Sequence, residues 1–417
     1  MIKTTHRFIR SDFKLYGNDK DKIRFKYESN SVKAQLPIVW SKAKNFNVYD
    51  KNGNKWIDLS SGIFVTNAGH SNPKIKKAIK KQLNNNLLYS YQYYTNIRKN
   101  FVRKLLSISP SHFEKVVLLN SGSEATDAAY RLIKVWAKKN NKKYIVSFNG
   151  SYHGRVLGSD LICGKKDSTD WSNVVDDDIV FLDFPYKKDD KFDAKLLPPA
   201  NEIAAFFIET YQGRTAQMYP KPYIEELYRF AKENGSLVCF DEIQAGFYRM
   251  GKLYGYMTYG NFKPDLLCLG KGITSSLPLS AVIATKELID VDLSTNLSST
   301  HAGNALCCAS GLANLKFLTN NKFQKSFQKR SKIFEERIKG LEKYGCISYV
   351  NIRGMVAGVI FKDPKVADKV VELLVTNGVF PVNTWSDSIK LGPPLTISEE
   401  AIHEAIDVFE ESIKSIT

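Results

Sequence analysis

Lys271 is the most chemically suggestive residue of the sequence because a glycine precedes it and another follows it. The run Leu269–Gly272 closes an apolar stretch that has the character of a buried strand. A lysine amine in that place can form a Schiff base with an aldehyde cofactor, and the glycines leave room for a planar group beside the amine. The alternative is an ordinary solvent-exposed lysine in a glycine turn, and this short run does not separate the two interpretations.

Asp241 follows directly after another apolar run, Leu237–Phe240. A carboxylate at the end of a buried strand can hold the proton on a pyridine nitrogen, which keeps the ring able to withdraw electrons. The alternative is a carboxylate that pairs with an arginine or a lysine for stability alone. The interval from Asp241 to Lys271 accommodates one strand–helix–strand unit, so both side chains are expected at the same edge of a sheet.

Small polar residues in the run Asn120–Ala125 lie between a predicted strand and a predicted helix. A helix N-terminus presents unpaired N–H groups and a partial positive charge, which suits a phosphate. Gly122 permits close approach to the backbone, and Ser121 and Ser123 add hydroxyl groups. The alternative is a simple N-cap formed by one of these serines, with Glu124 favouring the helix dipole. The sequence contains no Walker A loop and no glycine-rich dinucleotide motif after a strand.

Short apolar runs alternate with segments of helical spacing, such as Ala125–Lys138 and Tyr223–Glu233, through the middle of the chain. This alternation predicts an α/β fold whose sheet is covered by helices on both faces. Ligands of such sheets bind at the carboxyl ends of the strands, where Glu209 ends another of the runs. The runs interpreted as strands are Val116–Leu119, Tyr144–Phe148, Ile179–Phe184, Ala204–Ile208, Leu237–Phe240, Leu266–Leu269 and Ser280–Thr285.

The two ends of the chain lack this alternation. The N-terminal part ends in a predicted hairpin, in which Val39–Trp40 and Asn47–Tyr49 are the strands. The C-terminal part contains two long amphipathic helical patterns, a β-like segment at Met355–Phe361 and a last helix from about Ser398. We therefore expect a large ligand-binding domain in the middle and a smaller α+β domain built from both termini. The expected divisions are 1–55, 56–310 and 311–417.

Charge and cysteine content favour a cytoplasmic protein without a nucleic-acid role. The net charge is +17 at pH 7, but the lysines are scattered and no zinc-finger or RNA-recognition signature accompanies them. The six cysteines form no C-x-x-C pair, which suits reduced thiols, and no metal site is expected. No run has the ~18 apolar residues that a membrane helix needs, and we expect no membrane association.

Taken together, these motifs and their order resemble the class III, or ω-, aminotransferases. The resemblance extends from about Val39 to Ile397. It implies fold type I of the pyridoxal-phosphate enzymes, with a mostly parallel seven-stranded sheet in the large domain. The motifs that carry it are Ser61–Gly62, Asn67–His70, Asn120–Ala125, Tyr152–Arg155, Asp241–Gly246, Lys271–Gly272, Thr300–Asn304 and Gly392–Leu395.

The resemblance also implies a pyridoxal 5'-phosphate cofactor and assigns roles to single residues. Lys271 would form the Schiff base and move protons, and Asp241 would pair with the pyridinium nitrogen. Gln244 would lie near the ring hydroxyl, and Tyr152 would stack on the ring, with His153 beside it in the same motif. The phosphate would be held by Ser121, Gly122 and Ser123, and by Thr300 of a neighbouring subunit in a homodimer. Glu209 would lie on the substrate side of the cofactor.

The implied reaction moves an amino group from an amine, terminal or that of an amino acid, to a keto acid in two half-reactions with ping-pong kinetics. Phe64 is expected to line the substrate pocket. Arg155 can bind a substrate carboxylate through two parallel N–H groups, or it can form a structural ion pair. Lys390 occupies the place of the family's usual arginine, and Arg214 lies where several relatives are acidic, so the substrate is expected to be unusual and anionic.

Two alternatives remain at this point. An aminomutase that resembles glutamate-1-semialdehyde aminomutase would need no external amino acceptor. A non-catalytic or nucleic-acid-binding protein would account for the positive charge, but it gives no reason for Lys271 and Asp241.

Overall fold

The computed structural model describes residues 1–15, 29, 31, 36, 38–164 and 171–416. The chain divides into two compact units. One consists of Met1–Asn72 and Asn321–Thr417, and the other of Pro73–Asn320. The boundaries expected from sequence, after residues 55 and 310, both come earlier than these.

Regular elements occupy most of the described residues. The strands are β1 (Ile2–Lys3), β2 (Phe8–Ile9), β3 (Trp40–Lys44), β4 (Asn47–Asp50), β5 (Lys55–Asp58), β6 (Lys115–Leu119), β7 (Tyr144–Phe148), β8 (Ile179–Leu182), β9 (Ile203–Glu209), β10 (Leu237–Asp241), β11 (Leu266–Leu269), β12 (Ser280–Ala284), β13 (Ile347–Arg353), β14 (Val356–Phe361), β15 (Val379–Phe380), β16 (Val382–Asn383) and β17 (Ser388–Leu391). The helices are α1 (Ser61–Phe64), α2 (Pro73–Asn84), α3 (Asn96–Ile108), α4 (Gly122–Lys139), α5 (Leu157–Leu161), α6 (Lys221–Glu233), α7 (Lys286–Ile289), α8 (Ala305–Leu318), α9 (Asn321–Lys339), α10 (Pro364–Thr376) and α11 (Glu399–Lys414).

The unit Pro73–Asn320 is built on a seven-stranded sheet in the order β6-β12-β11-β10-β9-β7-β8. β12 is antiparallel to both of its neighbours, while the pairs from β11 to β8 are parallel. The expected mostly parallel, seven-stranded α/β sheet is therefore confirmed. Every residue of β9 and of β10 is buried, as a strand covered on both faces requires.

Helix α4 covers part of one face of this sheet. Its Ala128, Leu132 and Ile133 join Phe207 of β9 and Cys239 of β10 in one buried apolar cluster. The polar residues of α4 lie mainly on the opposite side, which gives the helix one apolar stripe toward the sheet. This packing fixes the N-terminus of α4 at the edge of the sheet where the parallel strands end.

Helix α8 has a different packing partner, helix α3. Gly311 lies in the middle of α8, against the fully buried ring of Phe101 on α3. A methyl group built on Gly311 would approach Cε2 of Phe101 to 2.6 Å, closer than carbon atoms pack. The glycine is therefore needed for the two helices to approach each other.

The unit formed by the two termini contains two smaller sheets. One has the order β1-β2-β5-β4-β3 with β15 added to β5, and the other has the order β13-β14-β17-β16. The predicted hairpin corresponds to β3 and β4, and the predicted segment Met355–Phe361 corresponds to β14. Ser398 caps α11 by accepting a hydrogen bond from the amide of Ala401.

The element α1 (Ser61–Phe64), which follows β5 in this unit, is a single turn of left-handed backbone. The φ angles of Ser61, Ile63 and Phe64 are 50°, 60° and 65°, and left-handed backbone costs ~1–2 kcal/mol for each residue that has a Cβ. Ser61 Oγ donates a 2.6 Å hydrogen bond to the carbonyl of Gly392, where an added Cβ would collide with the Phe64 ring. Phe64 is buried in the same unit, and Nζ of the buried Lys390 lies 5.4 Å from its ring centroid.

Within the part of the chain that the structure describes, no helix has both the length and the apolar character required to cross a lipid bilayer.

We predict that Gly311→Ala destabilises the protein. Alanine favours a helix by up to ~1 kcal/mol over glycine, but overpacking against the buried Phe101 ring costs ~1–3 kcal/mol. The expected net loss of unfolding free energy is about 1–2 kcal/mol, measured by urea denaturation. Gly340→Ala is the control, because an added Cβ there meets nothing within 4 Å. Equal stability of the two variants would show that α3 and α8 do not constrain each other as described.

Candidate active site

Three adjacent parallel strands bring the predicted reactive residues to one edge of the sheet. Asp241 is the last residue of β10 and pairs in register with Glu209, the last residue of β9. On its other side Asp241 pairs with Cys268 of β11, and Lys271 follows β11 after Gly270. Strand register therefore places two acids and one lysine at the carboxyl ends of neighbouring strands.

The carboxylate of Asp241 is buried, with 5% of the residue exposed. Its Oδ1 accepts a 3.0 Å hydrogen bond from the amide of Ile243, and its Oδ2 lies 2.8 Å from Nδ1 of His153. Donation from Nδ1–H to the carboxylate fixes the orientation of the imidazole. The His153 ring also packs edge-on against Phe207, with ring centroids 4.7 Å apart.

The backbone of His153 is held by two further contacts. Thr126 of α4 donates a 2.6 Å hydrogen bond from Oγ1 to the His153 carbonyl, and the His153 amide lies 3.0 Å from the sulfur of Cys163. Gly154 has φ +144°, and any Cβ there would overlap the hydroxyl of Ser123. The loop after β7 therefore lies tightly against the first turn of α4.

The first turn of α4 contains the predicted phosphate-binding residues. Ser121 Oγ accepts the amide of Glu124 at 3.2 Å, and Glu124 Oε2 accepts the amide of Ser121 at 2.7 Å, which together form a capping box. The simple N-cap considered from sequence is thus present. Helix geometry leaves the amides of Gly122 and Ser123 without intrahelical partners, so the same turn can also bind an anion.

Thr300 is exposed, and its neighbour Ser299 connects that segment to α4 of the same chain. Asn120 Nδ2 donates to Ser299 Oγ at 2.8 Å, and Ser299 Oγ donates to Glu124 Oε1 at 2.9 Å. The contribution of Thr300 across a subunit interface stays a prediction.

Lys271 has φ 40°, a left-handed backbone that is costly for a residue with a Cβ. Asn314 of α8 compensates by donating from Nδ2 to the carbonyls of Gly272 at 2.8 Å and Ile273 at 3.0 Å. Burial lowers the pKa of the Lys271 amine to about 8, although the negative charges of Asp241 and Glu209 act in the opposite direction. At pH 7 roughly a tenth of the amine is therefore uncharged, far more than for an ordinary lysine.

Glu209 is almost completely buried, and burial raises its pKa to about 7. His153 opposes that shift, whereas the charge of Asp241 adds to it. Both carboxyl oxygens of Glu209 accept backbone amides, from Tyr152 at 2.9 Å and from Gly213 at 3.0 Å. Glu209 thus joins the loop after β7 to the loop after β9 and holds both against the sheet edge.

Tyr152 lies in the loop after β7, and Gln244 lies in the turn after β10. The Gln244 side chain lies against Gly213, close enough that an added Cβ on the glycine would collide with it. Gln244 Oε1 is buried and accepts no hydrogen bond from any described residue. Arg155, in the loop after β7, has an exposed side chain, and its amide donates to Ser123 Oγ at 3.2 Å.

The structure therefore gathers most of the predicted site residues within one unit, Pro73–Asn320. Phe64 and Lys390 belong to the other unit and contact each other there, as described above. Sequence reasoning missed Asn314, Thr126 and Ile243, which act by supporting other residues. Asn314 had one usable signal, since it is a polar residue inside a largely apolar helical segment. No local signal identified Thr126 or Ile243.

Comparison with known proteins identifies the family. The sequence model for "Aminotransferase class-III" matches residues 28–413. The chain belongs to the class-III aminotransferase family. An acetylornithine aminotransferase of Clostridium acetobutylicum is 30% identical over 384 residues, which cover 90% of this chain and 96% of the relative. An isoleucine 2-epimerase of Lentilactobacillus buchneri is 29% identical over 423 residues, which cover 94% and 93%.

A solved structure confirms the fold of this class-III aminotransferase. The ornithine aminotransferase of Toxoplasma gondii superposes with a TM-score of 0.82 at 23% identity, covering 96% of this chain and 93% of that one. The fold is therefore that of the type I pyridoxal-phosphate transferases. Class-III aminotransferases use pyridoxal phosphate, and this enzyme is a pyridoxal-phosphate-dependent transaminase.

The residues of the enzyme fit this cofactor. A methyl group on Gly122 would lie 3.0 Å from Ile243, and one on Gly270 would lie 3.2 Å from the same side chain. Glycine at both positions therefore leaves the backbone beside Ile243 without side chains. The buried Gln244 Oε1 offers an acceptor that no described residue uses. A helix N-terminus suits the phosphate, a buried acid suits the ring nitrogen, and a partly neutral amine suits the aldehyde.

We predict that Lys271 of the cofactor-free protein reacts with acetic anhydride in proportion to its neutral fraction. With a pKa of about 8, roughly a tenth of the amine is neutral at pH 7 and roughly nine-tenths at pH 9. Peptide mass spectrometry should place the half-maximal rate near pH 8, with the exposed Lys286 as an internal reference for the reagent. Asp241→Asn removes a charge that raises this pKa, so the midpoint should fall. A midpoint near the usual lysine value of about 10.4 would contradict the described burial.

Proposed function

We propose that the enzyme transfers the amino group of a primary amine to a keto acid at the edge of the sheet formed by β9, β10 and β11, with Lys271 as the reacting amine. The observation that carries this assignment is the placement of Lys271 next to the buried acids Asp241 and Glu209, at the carboxyl ends of three neighbouring strands. When bound, pyridoxal phosphate supplies an electrophilic aldehyde carbon and a ring that withdraws electrons. With the cofactor bound, Lys271 Nζ would act as the base that removes the proton from the substrate carbon bearing the amine, and its ammonium form would then be the acid that donates the proton back.

Asp241 holds the proton of the ring nitrogen through its carboxylate. His153 and the amide of Ile243 occupy the carboxylate from the protein side, so that Asp241 cannot turn away or be neutralised by a mobile cation. His153 acts through Asp241 and is a positioning residue. This arrangement keeps a negative charge fixed at the end of β10, where a pyridinium group needs it.

Phosphate binding is assigned to the first turn of α4. The amides of Gly122 and Ser123 and the hydroxyls of Ser121 and Ser123 surround the N-terminal end of the helix dipole, which favours a dianion. Tyr152 is assigned to the ring face, and Glu209 holds its backbone at 2.9 Å. Gln244 is assigned to the ring hydroxyl because its buried Oε1 needs a donor.

We propose a homodimer in which Thr300 reaches the phosphate of the partner subunit. The segment from Leu83 to Tyr94 supports association, because it presents several exposed apolar side chains, among them Tyr93 at 81% and Tyr94 at 96%. Such aromatic patches are typical of protein interfaces. Analytical ultracentrifugation should give twice the 47.2 kDa of the chain, and a monomer at micromolar concentration would refute the dimer.

The six cysteines are free thiols, and the sulfurs of Cys239 and Cys268 lie 3.9 Å apart without a bond. This supports a reducing compartment, and we propose the cytoplasm.

The amino donor is proposed to be an amino acid with a terminal amine, because the similar relatives include acetylornithine and ornithine aminotransferases. Arg155 is assigned to a substrate carboxylate, because its exposed guanidinium group can bind a carboxylate through two N–H groups. The assignment of Phe64 and Lys390 to the substrate stays a prediction from the sequence; within their own unit the Lys390 ammonium lies 5.4 Å from the Phe64 ring centroid. A lysine binds a carboxylate as a point charge, without the bidentate geometry of arginine.

One experiment tests the proposed reaction. Purified holoenzyme is mixed with ornithine, N-acetylornithine, isoleucine and simple ω-amino acids, and loss of the visible cofactor absorbance reports the first half-reaction. Addition of a keto acid should restore the absorbance and convert the keto acid stoichiometrically to its amino acid. The aminomutase alternative is not favoured by the comparisons, and it would leave the keto acid untouched. Inversion of isoleucine without keto-acid consumption would instead indicate epimerase activity like that named for one relative.

We predict that Lys271→Ala lowers the rate of the first half-reaction by ~10³-fold or more, because both the covalent link and the proton carrier are lost. Asp241→Asn should lower it by roughly 10²-fold while the cofactor still binds, because only the fixed negative charge is removed. Stopped-flow absorbance measures both rates. Lys286→Ala, which changes an exposed lysine of α7, serves as the control and should remain within about twofold of wild type. Wild-type rates in Lys271→Ala would refute the assignment.

A further inference from the structure

Arg214 is a cation that the fold holds over the Tyr152 ring without giving it an acidic partner. It lies in the loop after β9, with its guanidinium carbon 5.6 Å from the Tyr152 ring centroid. The residue is half-buried, and no acid among the described residues comes within ion-pair distance of it. Some other half-buried cations do have an acid beside them, as Lys134 has in Asp176 and Asp178.

Several hydrogen bonds hold the loop that carries Arg214. Its first residues are tied by the amide of Gly213 to Glu209 at 3.0 Å and by Gln212 Nε2 to the Asn149 carbonyl at 2.9 Å. Gln212 also accepts the amide of Ala216 at 2.9 Å and donates its own amide to Gln217 at 3.0 Å, which closes a tight turn. The backbone position of Arg214 is therefore fixed relative to Glu209.

The charges around this loop leave Arg214 available to a ligand. Glu209, the nearest buried acid along the chain, already has both carboxyl oxygens occupied by backbone amides. Asp241 is likewise engaged by His153 and Ile243. A guanidinium group presents five N–H donors in a plane. A carboxylate can accept two of them at once, whereas a contact with an aromatic face leaves all five without a hydrogen-bond acceptor.

We propose that Arg214 is a specificity-determining residue that binds a carboxylate of the substrate remote from the reacting amine. This inference rests on the proposed function, since it places the substrate beside Tyr152. Arg214 selects amino compounds that carry an acid group at the far end over neutral amines of the same length. The Tyr152 ring holds the guanidinium by a cation–π contact. The paired N–H donors of Arg214 are therefore already oriented before the substrate binds.

The test compares matched donors in the first half-reaction of the holoenzyme. Each ω-amino acid of four to six carbons is paired with the amino alcohol of equal length, and kcat/KM is measured for both. Arg214→Gln should lower kcat/KM for the acid by roughly tenfold or more and change the value for the alcohol by less than about twofold. Arg214→Lys should restore part of the preference, because it keeps the charge but loses the fork. Arg229→Gln, an exposed arginine on α6, is the control.

A second measurement does not depend on turnover. Butyrate and the uncharged butyramide are titrated into wild-type and Arg214→Gln holoenzyme, and their dissociation constants are measured by calorimetry. Butyrate should bind wild type more tightly than butyramide does, and Arg214→Gln should remove most of that difference. Equal binding of both compounds by wild type would overturn the inference.

The outcomes separate this inference from the proposed function. If no amine bleaches the wild-type cofactor, the proposed function fails, while the calorimetry still decides whether Arg214 binds a carboxylate. If acids and alcohols react at similar rates and Arg214→Gln changes neither, the proposed function stands and the inference fails. If Arg214→Gln lowers kcat/KM equally for the acid and for the alcohol, Arg214 only positions Tyr152, which also overturns the inference.

Discussion

The buried carboxylate of Asp241 is the constraint on which the rest of the site depends. A charge taken out of water is costly unless hydrogen bonds and nearby dipoles replace its hydration. His153 and the amide of Ile243 provide that replacement from within the protein. Once the carboxylate is fixed, it opposes part of the effect of burial on the Lys271 amine, whose pKa is held at about 8 rather than lower.

The supporting elements follow from this requirement. His153 needs Thr126 of α4 and Cys163 to hold its backbone, and Lys271 needs Asn314 of α8 to hold a left-handed conformation. Glu209 ties the loop that contains Tyr152 and the loop after β9 to the sheet. Each of these contacts joins residues that are distant in sequence, so the catalytic edge exists only when the sheet and its covering helices have assembled.

Much of the fold was readable from the sequence, because buried parallel strands are near-continuous apolar runs. The strands β6 to β12 appeared where those runs predicted them, with β8 ending at Leu182 instead of Phe184. The positions of Lys271 and Asp241 followed from the same runs. In the terminal unit, β13, β16 and β17 were not predicted, because β13 is only half-buried, β16 has two residues, and β17 alternates polar and apolar residues over only four positions. The left-handed turn at Ser61–Phe64 was not predicted either. Only one of its four residues is a glycine, and the left-handed conformation of the other three is stabilised by tertiary contacts with Gly392.

Side chains that act by holding other residues were the least predictable. Glu209 was expected on the substrate side, yet both of its oxygens bind backbone amides. Arg214 was noted only as an unusual residue, and its position over Tyr152 depends on the tight turn that begins at Gln212. Sequence patterns report burial and local conformation, whereas these roles depend on which loops meet in space.

The most direct measurement of the central claim is the site of cofactor attachment. Holoenzyme is reduced with borohydride and digested, and the peptide that carries the added pyridoxyl phosphate group is sequenced by mass spectrometry. The account predicts a single modified peptide with the group on Lys271. Attachment at another lysine, or a cofactor that leaves the protein unmodified after reduction, would contradict it.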